Sequence, residues 1–409
     1  MLLNILSTSF ICFALSAGVQ ASPFFVDHGF QGESPTGESW MSAFPSLQSA
    51  IDAADETGGG DIWMKAGVYM PEGANRNATF ELKPNVSIYG GFRGGETNLV
   101  QRNPKINRTV LSGDIGKIGS TRDNSYHVLT AATECRLDSL IISRGNANSA
   151  AENRFGGGLR IPPNVHNVVV ANCIFEKNNA ETGGAILVED GSLTVTNCTF
   201  FSNSAEDGGA ISTQGKSILN IKKSNFSSNF SPTSGGALSV ETGAQATISD
   251  TSFIYNSTDG NGGAISARTE EDAGIGLKLT NCSFSENSAR TTGGALAFSG
   301  TFTPVITECS FNRNFSRKGA GALANMNGTV AVVIDSTYVE NRGIKGAANM
   351  ANDATSSITD SMDSVVKSKT ASTPEETVST PKPAVTPEPI AKRSLPDVFV
   401  YNTQHQKVK

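Results

Sequence analysis

Between residues 173 and 323 one unit is written six times, as CIFEKNNAETGGAI (173–186), CTFFSNSAEDGGAI (198–211), SNFSSNFSPTSGGAL (224–238), TSFIYNSTDGNGGAI (251–265), CSFSENSARTTGGAL (282–296) and CSFNRNFSRKGAGAL (309–323). Its aromatic recurs at Phe175, Phe200, Phe226, Phe253, Phe284 and Phe311, then as Tyr338, at intervals of 25, 26, 27, 31, 27 and 27 residues. An Asn follows three residues later each time, at Asn178, Asn203, Asn229, Asn256, Asn287, Asn314 and Asn341. So short a unit cannot bury an apolar face alone, and a chain that repeats it must stack its copies. Runs such as SLTVTNCTF (192–200) alternate apolar with polar residues, which is strand and not helix periodicity. Three short strands between Gly, Asn, Asp and Ser turns fit one coil of a right-handed parallel β-helix, each coil lying at strand spacing on the last.

Parity within the strands then assigns places. The aromatic faces inward, with an aliphatic residue five positions before it (Val170 to Val333) and a small one two before it (Cys173 to Ser336). Each stacked ring contributes about 1.5–3 kcal/mol by burial, with an added stacking contribution. The Asn side chain tolerates left-handed backbone and can bond its own kind in the next coil. In each Gly pair, from Gly183/Gly184 to Gly293/Gly294, the first serves a positive-φ turn and the second leaves room for a ring from the facing strand. No Lys-Ser/Thr follows these pairs, so they are not phosphate loops.

The paired FxxN and GGA[IL] motifs resemble the repeats of the chlamydial polymorphic outer-membrane protein family and of related exported bacterial β-helix proteins, over residues 156–346. DIWMKAGVYMP (61–71) and FELKPNVSIYGGFRGGET (80–97) resemble the start of such proteins and would form less regular first coils. The resemblance implies export, a β-helical body and surface display with an adhesive role. No run of long alternating strands follows Asn341, so attachment through a terminal β-barrel is not expected.

The expected organisation is a signal peptide (1–21, apolar core from Phe10 to Ala17, cleavage after Ala21), an N-terminal cap (22–59), a β-helix of roughly ten coils (60–350) and a disordered Pro/Ser/Thr-rich tail (351–409). FPSLQSAIDAA (44–54) has helical spacing and would cover the first coil. In the tail, Val398 to Tyr401 is a strand-like run. No other stretch is long and apolar enough to be a transmembrane segment of the mature chain, and the protein is expected outside the cell or at its surface, associated with the outer membrane. The 409 residues carry a net charge of −6 with no block of Lys or Arg, which argues against nucleic acid or an anionic membrane as partner. Cys173/Cys198 and Cys282/Cys309 fall in neighbouring coils at one repeat position. In-register side chains point in parallel there, which favours a buried stack of small residues over bridges.

No catalytic residue, metal set or cofactor is assigned: there is no CxxC and the His residues are scattered. Acidic residues recur weakly at two offsets, Glu181 with Glu206/Asp207, and Glu189/Asp190 with Glu241 across Gln214. The 31-residue interval holds an insertion, RTEEDAGIG (268–276), with Glu270, Glu271 and Asp272 in a row, and GNANSAAENRFGGG (145–158) is a second expansion. Solenoid insertions emerge as loops on one face, so these are the binding candidates. The function expected is adhesin-like, non-catalytic binding of a host or neighbouring-cell surface protein or a polysaccharide. The alternative is a carbohydrate-active β-helix enzyme, a polysaccharide lyase or glycoside hydrolase, which would need paired carboxylates or a bound cation with a basic residue.

Overall fold

The computed structural model describes residues 22–360, apart from 74, 150, 271–273, 345–346 and 354. The expected signal peptide, Glu271, Asp272 and the tail beyond residue 360 therefore lie outside the described residues. What is described is a parallel β-solenoid of about 11 turns with little helix.

Four sheets run the length of the solenoid, with 12, 10, 8 and 10 strands, and every pairing between strands is parallel to the next coil. One regular coil passes through Val168–Ala171 in the first sheet, Ile174–Glu176 in the second, Asn179–Thr182 in the third and Ile186–Glu189 in the fourth. The sequence suggested three strands per coil. The fourth is the short one after the ladder Asn, whose two to four residues show little alternation.

Inside, Phe175, Phe200, Phe226, Phe253, Phe284 and Phe311 are fully buried, and successive rings stack with centroids 4.5–5.1 Å apart and planes within 11° of parallel. Tyr338 continues the stack at 5.0 Å. The Asn column satisfies itself. Asn256 Oδ1 accepts from both the backbone N–H (3.1 Å) and Nδ2 (2.9 Å) of Asn229, while Asn256 Nδ2 donates to Phe226 O and to Asn287 Oδ1. Every amide donor and both acceptor sites of the buried side chain are used, the condition under which burying it is tolerated.

Two local expectations need correction. The left-handed residue is not the ladder Asn but the one before it: Lys177, Ser202, Ser228, Tyr255, Glu286, Arg313 and Glu340 all have φ between 52° and 58°. The ladder Asn residues themselves have no positive φ, and their amides are buried. The second Gly of each pair does not yield to a ring. A Cβ on Gly209 would lie 2.2 Å from the carbonyl O of Gly236 and 2.5 Å from that of Phe230, so the adjacent coil's backbone excludes it. Space for the ring comes one residue later, where a Cβ at Gly158 would already be 3.0 Å from Phe175 Cδ1, and the matching Ala185 and Ala210 are small and fully buried.

The first coil is covered by a helix, Leu47–Glu56, N-capped by Ser46, which buries Leu47, Ala50, Ile51 and Ala54. Gln48 adds a specific device. Its amide donates to Glu81 O (3.3 Å) and accepts from Glu81 N (2.9 Å), so one side chain stands in for a missing strand at the open edge of Phe80–Glu81. Phe24–Val26 caps the first sheet by pairing with Gly60–Lys65. At the other end the ladders run through Met350–Asn352 and Ser357–Asp360, ten residues beyond the expected boundary at 350. No helix among the described residues is long and apolar enough to cross a membrane.

Candidate functional site

The tight Gly turn between the third and fourth sheets folds the end of one strand over the outer surface of the next. On the fourth sheet Ser212, Ser239 and Ser266 lie in register on successive coils and are buried although they face away from the core. Ser212 floors a groove. Thr182 and Asp207, at the ends of third-sheet strands, form one wall, and Gln214, Glu241 and Arg268, at the ends of fourth-sheet strands, form the other, around a cavity of about 290 Å³. A second hollow of about 700 Å³ continues along the axis past Ser299 and Asn327 and shares Arg268 and Glu270 with the first.

The polar groups are held in place. Asp207 Oδ1 accepts from the hydroxyls of Thr233 (2.6 Å) and Ser234 (2.7 Å). Glu241 accepts from Ser239 Oγ at 2.8 Å and from Arg268 at 3.4 Å, and Arg268 Nε lies 3.9 Å from Glu270. Burial pushes the Glu241 carboxyl up from the usual glutamate range; Arg268 and the Ser239 hydroxyl oppose the rise, and Asp207 adds to it. Ser212 Oγ, on the floor, is fully buried with no hydrogen-bond partner. Among the described residues, no group of three His, Cys, Asp or Glu side chains is placed to hold a metal ion.

Of the candidates read from sequence, Glu270 reaches this groove, as do Asp207, Gln214 and Glu241. Glu181 instead pairs with Arg154 of the 145–158 expansion at 3.0 Å, and Asp190 accepts from the backbone N–H of Lys216 in the next coil's turn. Ser212 and Arg268 were not singled out. Arg268 was legible as the successor of Glu241 at one offset, but only when the four-residue insertion is placed after it. The described cysteines are free and buried, with Cys173 N–H 3.4 Å from Cys198 Sγ.

The model of the Chlamydia polymorphic membrane protein repeat matches residues 197–214 and 250–268, each match running from the turn before an inward Phe, through its Asn and Gly pair, to a groove residue, Gln214 or Arg268. The chain carries this repeat. No curated protein sequence matches it significantly. Among solved structures the solenoid is similar to a tailspike protein of E. coli bacteriophage HK620 (14% identity, 79% of this chain and 62% of that one, TM-score 0.40). Others are PfbA, a surface adhesin of Streptococcus pneumoniae (14%, 76% and 87%, 0.31), and the catalytic unit of a GH87 α-1,3-glucanase from Streptomyces thermodiastaticus (13%, 85% and 70%, 0.38). The chain thus spans about 62% of the tailspike it matches.

Proposed function

We propose that this repeat protein acts outside the cell or at its surface as a non-catalytic, adhesin-like β-helix that binds a glycan or a protein along the groove of Ser212, Glu241 and Arg268. The observation that carries this reading is that the groove's acids are already engaged. Asp207 is held by two hydroxyls, Glu241 by Ser239 and Arg268, and Arg268 reaches on toward Glu270. Such a fixed row of donors and acceptors on a rigid stack is preorganised for binding, which lowers the ordering cost of association. Three carboxylates against one guanidinium favour a neutral, hydroxyl-rich ligand over an acidic one. Surface placement is supported by the repeat, whose family is membrane or surface associated.

One observation favours the enzymatic alternative: burial raises the Glu241 carboxyl, as a general acid of a glycoside hydrolase requires. The two readings part in one experiment. The full chain is incubated with a panel of neutral and uronic polysaccharides while bound ligand and new reducing ends are both measured. Binding without turnover, weakened in Glu241→Gln, supports the adhesin. Turnover abolished by Glu241→Gln overturns it.

A further inference from the structure

The sequence has no block of basic residues, yet the coils assemble one. On the outer face of the third sheet Phe230, Ser257, Ser288, Phe315 and Arg342 stand in register on five successive coils. Phe230 is 39% exposed, although an aromatic of this size is normally covered. Two hollows flank Phe315. One, of about 310 Å³, lies toward Phe230 and is bordered by Arg290 and Arg317; the other, of about 490 Å³, is bordered by Arg313 and Arg342. Four arginines therefore border the two hollows beside Phe315. Asp259 lies 3.9 Å from Arg290 and Glu340 2.7 Å from Arg313, whereas among the described residues Arg317 and Arg342 form no ion pair. This basic patch sits on a protein whose net charge is −6.

We propose that this face binds an anionic polysaccharide bearing carboxylate or sulfate groups, at a site separate from the acidic groove. The guanidinium is the side chain suited to planar, bidentate capture of such groups. The flat faces of Phe230 and Phe315 offer the apolar surface on which the C–H face of a pyranose rests, and the Ser257 and Ser288 hydroxyls between them supply hydrogen bonds. Coils repeat at about 4.8 Å, close to the length of one sugar unit, so a chain running along the axis passes about one coil per sugar and meets Arg290, then Arg313 and Arg317, then Arg342 on three successive coils. An acidic peptide shares the charge but not the ring-sized spacing or the hydroxyls.

The test uses the full chain with dextran sulfate and alginate as probes, uncharged dextran as the neutral comparison and double-stranded DNA as a polyanion without pyranoses. Dextran sulfate or alginate is expected to bind in a salt-sensitive manner, with binding about tenfold weaker in the Arg317→Ala/Arg342→Ala double variant. Phe315→Ser, which installs the residue found at this position in the two preceding coils, should weaken binding without loss of fold, as circular dichroism checks. Lys278→Ala, which removes an exposed cation from the first sheet, should leave binding unchanged, separating this face from general surface charge. No binding to either charged polysaccharide, or binding indifferent to the double variant and to Phe315→Ser, overturns the proposal. Equal affinity for DNA also overturns it, since that would reduce the face to an ion-exchange surface.

Discussion

The coils before residue 156 bury Glu96, Asp114, His127 and Asp138; among the described residues, those from 156 to 346 bury no Asp, Glu, Lys, Arg or His. Both stretches bury polar groups, the early coils beneath side chains on the outside of the column and the regular coils within it, and they satisfy them differently. The early coils assign each buried charge its own partners. Asp138 takes Arg102 at 3.0 Å and Arg136 at 2.6 Å, Asp114 takes Arg144 at 2.8 Å, and Glu96 accepts from the backbone N–H groups of Arg93 and Gly94. The regular coils use one amide that meets its own copy above and below. Where the sequence repeats, a neutral side chain can satisfy itself; where it does not, each buried charge needs a counter-charge or backbone N–H groups supplied by other parts of the chain.

This contrast can be broken at either end. The largest effects belong in the middle of the regular ladder. Phe253→Ala should cost about 4 kcal/mol by leaving a ring-sized gap, and Asn256→Ala about 3 kcal/mol by orphaning the donors of Asn229 and the carbonyl of Phe226. Urea midpoints measure both, and equal tolerance at these two positions and at surface positions would contradict the ladder.

Acid should act on the early coils. Burial lowers the imidazole of His127 from 6.5 to about 4, against the pull of its hydrogen bond to Gly156 O. The unfolded chain then binds a proton below pH 6.5 that the folded chain refuses until about pH 4. Stability is thus present above pH 6.5 and lost as pH falls through that window, by up to about 3 kcal/mol. His127→Gln should flatten this part of the pH profile; an unchanged slope would remove His127 from the account. Asp138→Asn should cost about 2 kcal/mol at neutral pH, read as a lower melting midpoint, through weakened bonds to Arg102 and Arg136.

The smallest effect sharpens the meaning of the ladder. Asn197 also bonds an Asn of the adjacent coil, with Nδ2 2.8 Å from Asn172 Oδ1, but on the exposed surface at a left-handed φ of 54°. Asn197→Asp keeps a residue suited to that backbone and should move stability by less than about 0.5 kcal/mol. Burial, not residue type or repetition, separates it from Asn256.

The regular coils were largely legible because period, parity and residue size all point to one arrangement: the rings, the Asn column and the small Cys and Ser positions follow from spacing alone. The extra strand of each coil is not legible because the four residues after Asn203 (Ser204–Asp207) and the two after Asn229 (Phe230–Ser231) are too few to show alternation. The role of Gly209 escaped because the obstacle is backbone from another coil, which no local pattern reveals. The groove was half visible. Glu241 and Asp207 recur at readable offsets, whereas Ser212 looks like any strand serine until the Gly turn folds Asp207 over it. The salt bridges of the early coils join residues such as Arg102 and Asp138 through no repeat at all.

Phe201, Ser227, Ile254, Ser285 and Asn312 occupy one outward register across five coils. Spin labels at Phe201→Cys and Asn312→Cys, with Cys12 replaced by Ser and the native thiols among the described residues being buried, therefore give a direct test by pulsed dipolar spectroscopy. Four coil spacings predict a narrow distribution centred at about 19 Å. A broad distribution centred beyond about 30 Å would mean that these coils do not stack in register.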